Sequence, residues 1–113
     1  MVVSREVTFH AFHSHHGMLS EPLHPHDFTV VITMDQELNE EGFVVDYRAV
    51  KRTFNRLIGR QLAEKNLDEI FEYPTSENLA KWIWEKLDPF YPLKSIEVRE
   101  KPHSKALYCG EAV

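Results

Sequence analysis

Three histidines are the residues of this chain whose type and spacing could do chemistry. They are His13, His24 and His26, the last two inside the stretch "SEPLHPHDFTV" at 20–30. Neutral imidazole nitrogens bind Zn²⁺ at about 2.0–2.1 Å, and three of them without a fourth protein ligand make a catalytic site that keeps one position open. An oxygen of a substrate brought to that position is polarised or made more acidic. A three-histidine set would also hold Fe²⁺, Ni²⁺ or Co²⁺.

Such a site needs strands that aim the three rings together. Residues 2–14 alternate, with Val3, Val7, Phe9, Ala11 and His13 in one phase and Ser4, Glu6, Thr8 and His10 in the other. Residues 26–35 alternate again, with Phe28, Val30, Ile32 and Met34 on one face and Val31 as the exception. Period two is the signature of half-buried strands. Side chains at i and i+2 share a face, about 6.6 Å apart along the backbone. His24 and His26 are in phase with the apolar face of the second strand, and His13 is in phase with that of the first. An antiparallel pair therefore puts three imidazoles on one buried-side surface. Uncompensated burial would be costly and three charged rings would repel; a metal resolves both. A single histidine on an apolar face is usually a satisfied structural residue, and an isolated H-x-H is more often that than a ligand pair. The in-phase third ring is what favours the metal. His10, His15 and His16 read as surface residues, although His15 shares the phase of His13.

The other elements follow from punctuation. "NEEGF" at 39–43 is a turn with Gly42 supplying conformational freedom. Asp46 is a helix cap, after which Val50, Phe54, Leu57, Ile58 and Leu62 recur at helical spacing. After the loop "EKNLDEIFEYP", Pro74 and Thr75 start a second helix striped by Leu79, Ile83 and Leu87, with Glu77 favourable in its first turn. Residues 94–101 and 105–109 are two more strands joined by "PHS". Two strands, two helices and two strands imply an α+β fold: an antiparallel four-stranded sheet with both helices on one face. Its long edges invite pairing with other subunits, so a homo-oligomer is expected.

At 113 residues the chain is one domain's worth. A composition of 42% hydrophobic and 27% charged residues is that of a soluble globular protein, and no apolar run approaches the roughly 20 residues of a membrane span. Arg5 and Glu6 interrupt the first apolar stretch, which does not read as a signal peptide. The lone Cys109 excludes an intrachain disulfide framework and reads as a small buried hydrophobe. These points together favour the cytoplasm. A net charge of −5 without a basic stripe argues against nucleic acid as a partner.

Longer motifs agree with the histidine reading. "FHAFH" at 9–13 followed by "LHPHDF" resembles the F-x-A-x-H and L-H-G-H-x-[YF] motifs of the 6-pyruvoyl-tetrahydropterin synthase family, which includes the 6-carboxy-tetrahydropterin synthases. "GFVVDYRAVK", "PTSENLAKWIWEKL" and "IEVREK" resemble its later motifs, so the likeness spans nearly the whole chain. It implies the tunnelling fold, in which three subunits' sheets join into a barrel and two trimers stack into a hexamer. It implies zinc on His13, His24 and His26. It makes Glu100 the pterin anchor, a carboxylate that accepts paired hydrogen bonds from the pterin amino group and ring N–H. It places Thr75 and Ser76 beside the pterin, where they would also cap the helix.

The departures from the family pattern point to the reaction. Ser20 stands where the family has its cysteine, and a hydroxyl does not replace a thiolate at neutral pH. Ala63 and Glu64 replace the usual Asp–His pair, and Pro25 replaces the glycine between the ligands. One branch of the family lacks the cysteine and carries E-x-x-H-G-H; Glu21 supplies that glutamate here. The branch resembles enzymes that cleave the side chain of 7,8-dihydroneopterin triphosphate to 6-hydroxymethyl-7,8-dihydropterin. Glu21 is then the general base and acid of a retro-aldol cleavage, with the pterin ring accepting electrons. Lys51, Arg52 and Lys65 are candidates to hold the triphosphate. Two other readings are a synthase giving 6-pyruvoyl- or 6-carboxy-tetrahydropterin, and a non-catalytic oligomer that binds pterin or metal.

Overall fold

The computed structural model describes residues 1–15 and 22–111, so Glu21, with Ser20 and His16, lies outside the described residues. The two alternating runs become β1 (Val2–His13) and β2 (His24–Asp35). They pair antiparallel along their whole length, with Phe9 opposite Phe28, Ala11 opposite His26 and His13 opposite His24. β3 (Leu93–Lys101) pairs antiparallel with β2, and β4 (Ser104–Tyr108) with β3, giving the sheet order β1-β2-β3-β4. β1 and β4 are therefore the two edges. The expected α+β layout with a four-stranded antiparallel sheet holds.

Between β2 and β3 the chain makes its helices. The Asp46 carboxylate accepts from the Arg48 N–H at 2.9 Å and caps α1 (Tyr47–Phe54). The expected single helix to Leu62 is interrupted: α1 runs into a π-helical turn at Asn55–Gly59 and then into the short α2 (Arg60–Leu62). Glycine is a poor helix former, and the wider turn ends on Gly59. The following loop holds a single 3-10 turn, Leu67–Glu69, pinned by buried Leu67. Thr75 caps α3 (Ser76–Leu87), its Oγ1 accepting from the Asn78 N–H at 3.1 Å.

One face of the sheet meets the helices. Val7, Phe9, Ala11, Phe28, Val30, Ile32, Met34, Ile96 and Val98 pack there against Val50, Phe54, Ile58, Leu62, Leu67, Leu79, Ala80, Ile83 and Leu87. Burying each larger side chain of this kind contributes about 1.5–3 kcal/mol. The opposite face is polar: Arg99 bridges Glu6 at 2.9 Å and Glu97 at 3.1 Å, and His10 meets Asp27 at 2.9 Å. Among the described residues no helix is long and apolar enough to cross a membrane.

Cys109 departs from expectation. It is exposed, because β4 ends at Tyr108 and the chain leaves the sheet there. Tyr108 still packs, its ring edge-on to Trp84 at 5.6 Å. Gly110 follows with φ +79, and a Cβ on it would lie 2.5 Å from the Trp84 ring. Only glycine fits that approach.

Candidate metal centre and pocket

The apolar face of the β1–β2 pair changes chemistry at one end. Phe9 stacks on Phe28 at 5.2 Å, and the next positions outward are His26, His13 and His24. Their ring centroids lie 4.8 Å (His13–His24), 5.0 Å (His13–His26) and 4.5 Å (His24–His26) apart. One nitrogen from each ring falls within 4.8 Å of the others. The three residues that period two aimed at one surface are thus brought together.

The surroundings of these rings suit a cation. His13 is fully buried, and its Nδ1 donates to the Pro74 carbonyl at 3.2 Å. That bond fixes the tautomer and turns a lone pair on Nε2 toward the other rings, an arrangement typical of metal-ligating histidines. Among the described residues Nε2 has no hydrogen-bond partner although it is buried. Such an orphan costs about 1–3 kcal/mol unless something takes it up. The His24 Nδ1 is likewise held, by the Pro22 carbonyl at 2.8 Å. Burial keeps the His13 imidazole below the ordinary histidine range, against the pull of the Glu100 carboxylate. A neutral, oriented imidazole is what a metal needs. The donor set therefore fits the zinc that the resemblance implies.

Pro25, between the two ligand positions, costs the sheet nothing. The Phe12 N–H turns away from β2 to the Lys65 carbonyl at 2.9 Å, so Phe12 and Pro25 face each other without exchanging bonds. The missing Pro25 N–H would point toward the side of β3, whose pairing with β2 begins only at Thr29. Proline is tolerated where no ladder bond is lost.

His24 and His26 open into a pocket of about 540 Å³ that His15, Ser76, Glu77, Glu100, Lys101, Ser104 and Lys105 also line. Glu100 is on the phase of Ile96 and Val98. The β3–β4 register shifts between Arg99 and Lys101, leaving Glu100 as the extra residue of a bulge. Bulges re-aim side chains near sites. One carboxylate oxygen accepts the Ser76 hydroxyl at 3.0 Å, and the other lies 3.8 Å from His13 Nε2. A planar carboxylate in that position can accept two parallel N–H bonds from a ligand.

The structure sorts the remaining expectations. Ser76 and Glu100 share the pocket with the histidines, whereas Thr75 is the helix cap one residue back. Glu77, read as a helix stabiliser, also lines the pocket. Lys51, Arg52 and Lys65 are exposed and none lines it; the cations that do are Lys101 and Lys105 of the β3–β4 hairpin. Glu64 is exposed with φ +61, and its N–H donates to the His10 carbonyl at 2.6 Å on the edge of β1. His10 is on the polar face, as expected. His15 is not the surface residue it was read to be: it is half-buried and part of the pocket wall. Its shared phase with His13 was the available signal.

Residues 2–111 match the 6-pyruvoyl tetrahydropterin synthase family. A dihydroneopterin monophosphate aldolase from Pyrococcus furiosus is 33% identical over 67 residues, covering 59% of this chain and 57% of the aldolase. A 6-carboxy-5,6,7,8-tetrahydropterin synthase from Synechocystis is 32% identical over 118 residues, covering 95% of this chain and 92% of the synthase. Among solved structures, 6-pyruvoyl tetrahydropterin synthase from Caenorhabditis elegans superposes with a TM-score of 0.84 at 20% identity, over 98% of this chain and 96% of that one.

Proposed function

The chain belongs to the 6-pyruvoyl tetrahydropterin synthase family, and from that premise we propose that it is a zinc-dependent lyase that cleaves the side chain of 7,8-dihydroneopterin triphosphate to 6-hydroxymethyl-7,8-dihydropterin. The observation that carries the reading is a set of three converging imidazoles, His24 and His26 in the wall of one pocket and His13 buried behind them, beside an oriented carboxylate, Glu100, in the same wall.

Zinc held by His13, His24 and His26 would supply a Lewis acid beside the substrate's side-chain hydroxyls. The chain's own groups do the rest. Glu100, steadied by the Ser76 hydroxyl, accepts the pterin amino group and ring N–H. That contact orients the ring so that its side chain points at the histidines. Glu21 takes the hydroxyl proton as the carbon–carbon bond opens and returns it to the ring side of the cleavage. Lys101 and Lys105 bring positive charge to the same pocket in a chain of net charge −5, where a phosphate tail needs it. The outward edges of β1 and β4 support assembly into the family's trimeric barrel and its stacked hexamer.

The Synechocystis relative favours a second reading, a 6-carboxy-tetrahydropterin synthase. Ser20, Ala63 and Glu64 at the family's Cys and Asp–His positions weigh against it, and the aldolase relative weighs for cleavage. Incubation of zinc-loaded protein with 7,8-dihydroneopterin triphosphate, and in parallel with the monophosphate, tests both by product identification. Release of 6-hydroxymethyl-7,8-dihydropterin is expected. A pyruvoyl or carboxy product would replace this reading with the second. Glu21→Gln should retain zinc and lose turnover by about 10²-fold or more; an unchanged rate removes Glu21 from the mechanism.

A further inference from the structure

His15 belongs to the pocket but not to the three-imidazole set. It follows β1 by two residues and has φ +54, the left-handed region, which histidine enters more readily than most residues with a side chain. That turn brings its ring to 4.2 Å from the His13 ring, at 47°. A ligand atom of His15 lies within 4.8 Å of those of both His13 and Glu100. His13 is therefore shared between two overlapping donor groups, one with His24 and His26 and one with His15 and Glu100.

The two groups differ in where they stand. His24 and His26 come from β2, across the ladder from His13. His15 and Glu100 reach His13 from other segments, the end of β1 and the bulge of β3, and both line the pocket. Glu100 already accepts a bond from Ser76, whereas an imidazole is a good donor to the metals that a three-histidine site selects. A three-ligand site leaves one position open, and a fourth nitrogen there would close it.

We propose that His15 is a fourth, exchangeable imidazole of the metal centre, swinging from its place beside His13 and Glu100 onto the open position and giving way when the pocket fills. The inference rests on the reading of His13, His24 and His26 as metal ligands and adds a residue that reading does not use. A metal centre that shields its own open position would resist adventitious anions and hydrolysis between turnovers.

Cobalt(II) serves as the probe, because its visible absorption reports coordination number and donor set. Wild-type protein and His15→Ala are loaded with Co²⁺, their spectra compared, and each titrated with azide. His15→Asn is run alongside, since asparagine tolerates a positive φ and keeps the turn. Both variants are expected to change the cobalt spectrum, to bind azide at least about tenfold more tightly than wild type, and to lose metal about tenfold more readily to a competing chelator. Identical spectra and azide affinities in all three proteins would overturn the proposal while leaving the three-ligand centre standing. Failure of wild-type protein to take up Co²⁺ at all would remove the underlying reading, and the fourth ligand with it.

Discussion

The two ends of one sheet face make the instructive comparison. Along β1 and β2 the same alternation runs without a break from Val7 and Val30 through Phe9 and Phe28 to His13, His24 and His26. At the first end the side chains have nothing to bond and are held by exclusion of water. At the second they have the same backbone geometry, yet a buried nitrogen, His13 Nε2, has no hydrogen-bond partner among the described residues. A pleat that builds a core becomes a donor array when only the side chains change. The rigidity of the first end is what holds the rings of the second in place.

The difference can be broken most strongly from the apolar side. Phe28→Ala should cost about 3–5 kcal/mol in equilibrium urea unfolding. His26→Ala, at a half-buried position, should cost about 1 kcal/mol in the metal-free protein and abolish the rise in unfolding midpoint on adding zinc. A loss of equal size at both positions would mean that the histidine end is ordinary core.

Protons offer a smaller perturbation. Burial holds His13 below the ordinary histidine value, so the unfolded chain binds the proton first as pH falls. The stability contributed by neutral His13 is complete above its unfolded pKa of about 6.5 and is lost as pH drops through the lower folded value. Metal-free wild type should therefore weaken progressively below about pH 6.5, and His13→Gln should show a shallower decline. Parallel urea midpoints across that range provide the check, and equal slopes would detach the pH response from His13.

The smallest effect is expected where the helix layer touches the site. Ser76→Ala removes the hydroxyl that steadies Glu100 and should alter stability by no more than about 0.5 kcal/mol. It should nonetheless weaken pterin binding severalfold in a fluorescence titration while metal content stays at the wild-type level. Unchanged pterin affinity would leave Ser76 as a helix residue only.

How much of this could be read beforehand depended on whether a residue's place is set locally. His13, His24 and His26 could be aligned from period two alone, because the register of two neighbouring strands carries the faces with it. Asp46 and Thr75 were legible as caps for the same local reason. His15 offered only its shared phase with His13, because the left-handed turn that completes its approach is encoded by no periodicity. Lys101 and Lys105 were not legible, since their role in the pocket wall depends on how the β3–β4 hairpin and its bulge fold against the mouth. Lys51 and Arg52 looked equally suitable as charges, but they ride on the exposed side of α1. Cys109 was misplaced because burial was inferred from its type, whereas the end of β4 decided it.

Pro25 has a consequence for assembly as well as for the ligands beside it. β2 pairs with β1 from His24 onward, whereas its pairing with β3 begins at Thr29. A strand that runs past its neighbour beside a pocket is a place where a further strand could add. The proline ring puts a carbon where the recruiting N–H would be. At that position the strand edge offers one recruiting N–H fewer than any other residue would leave it.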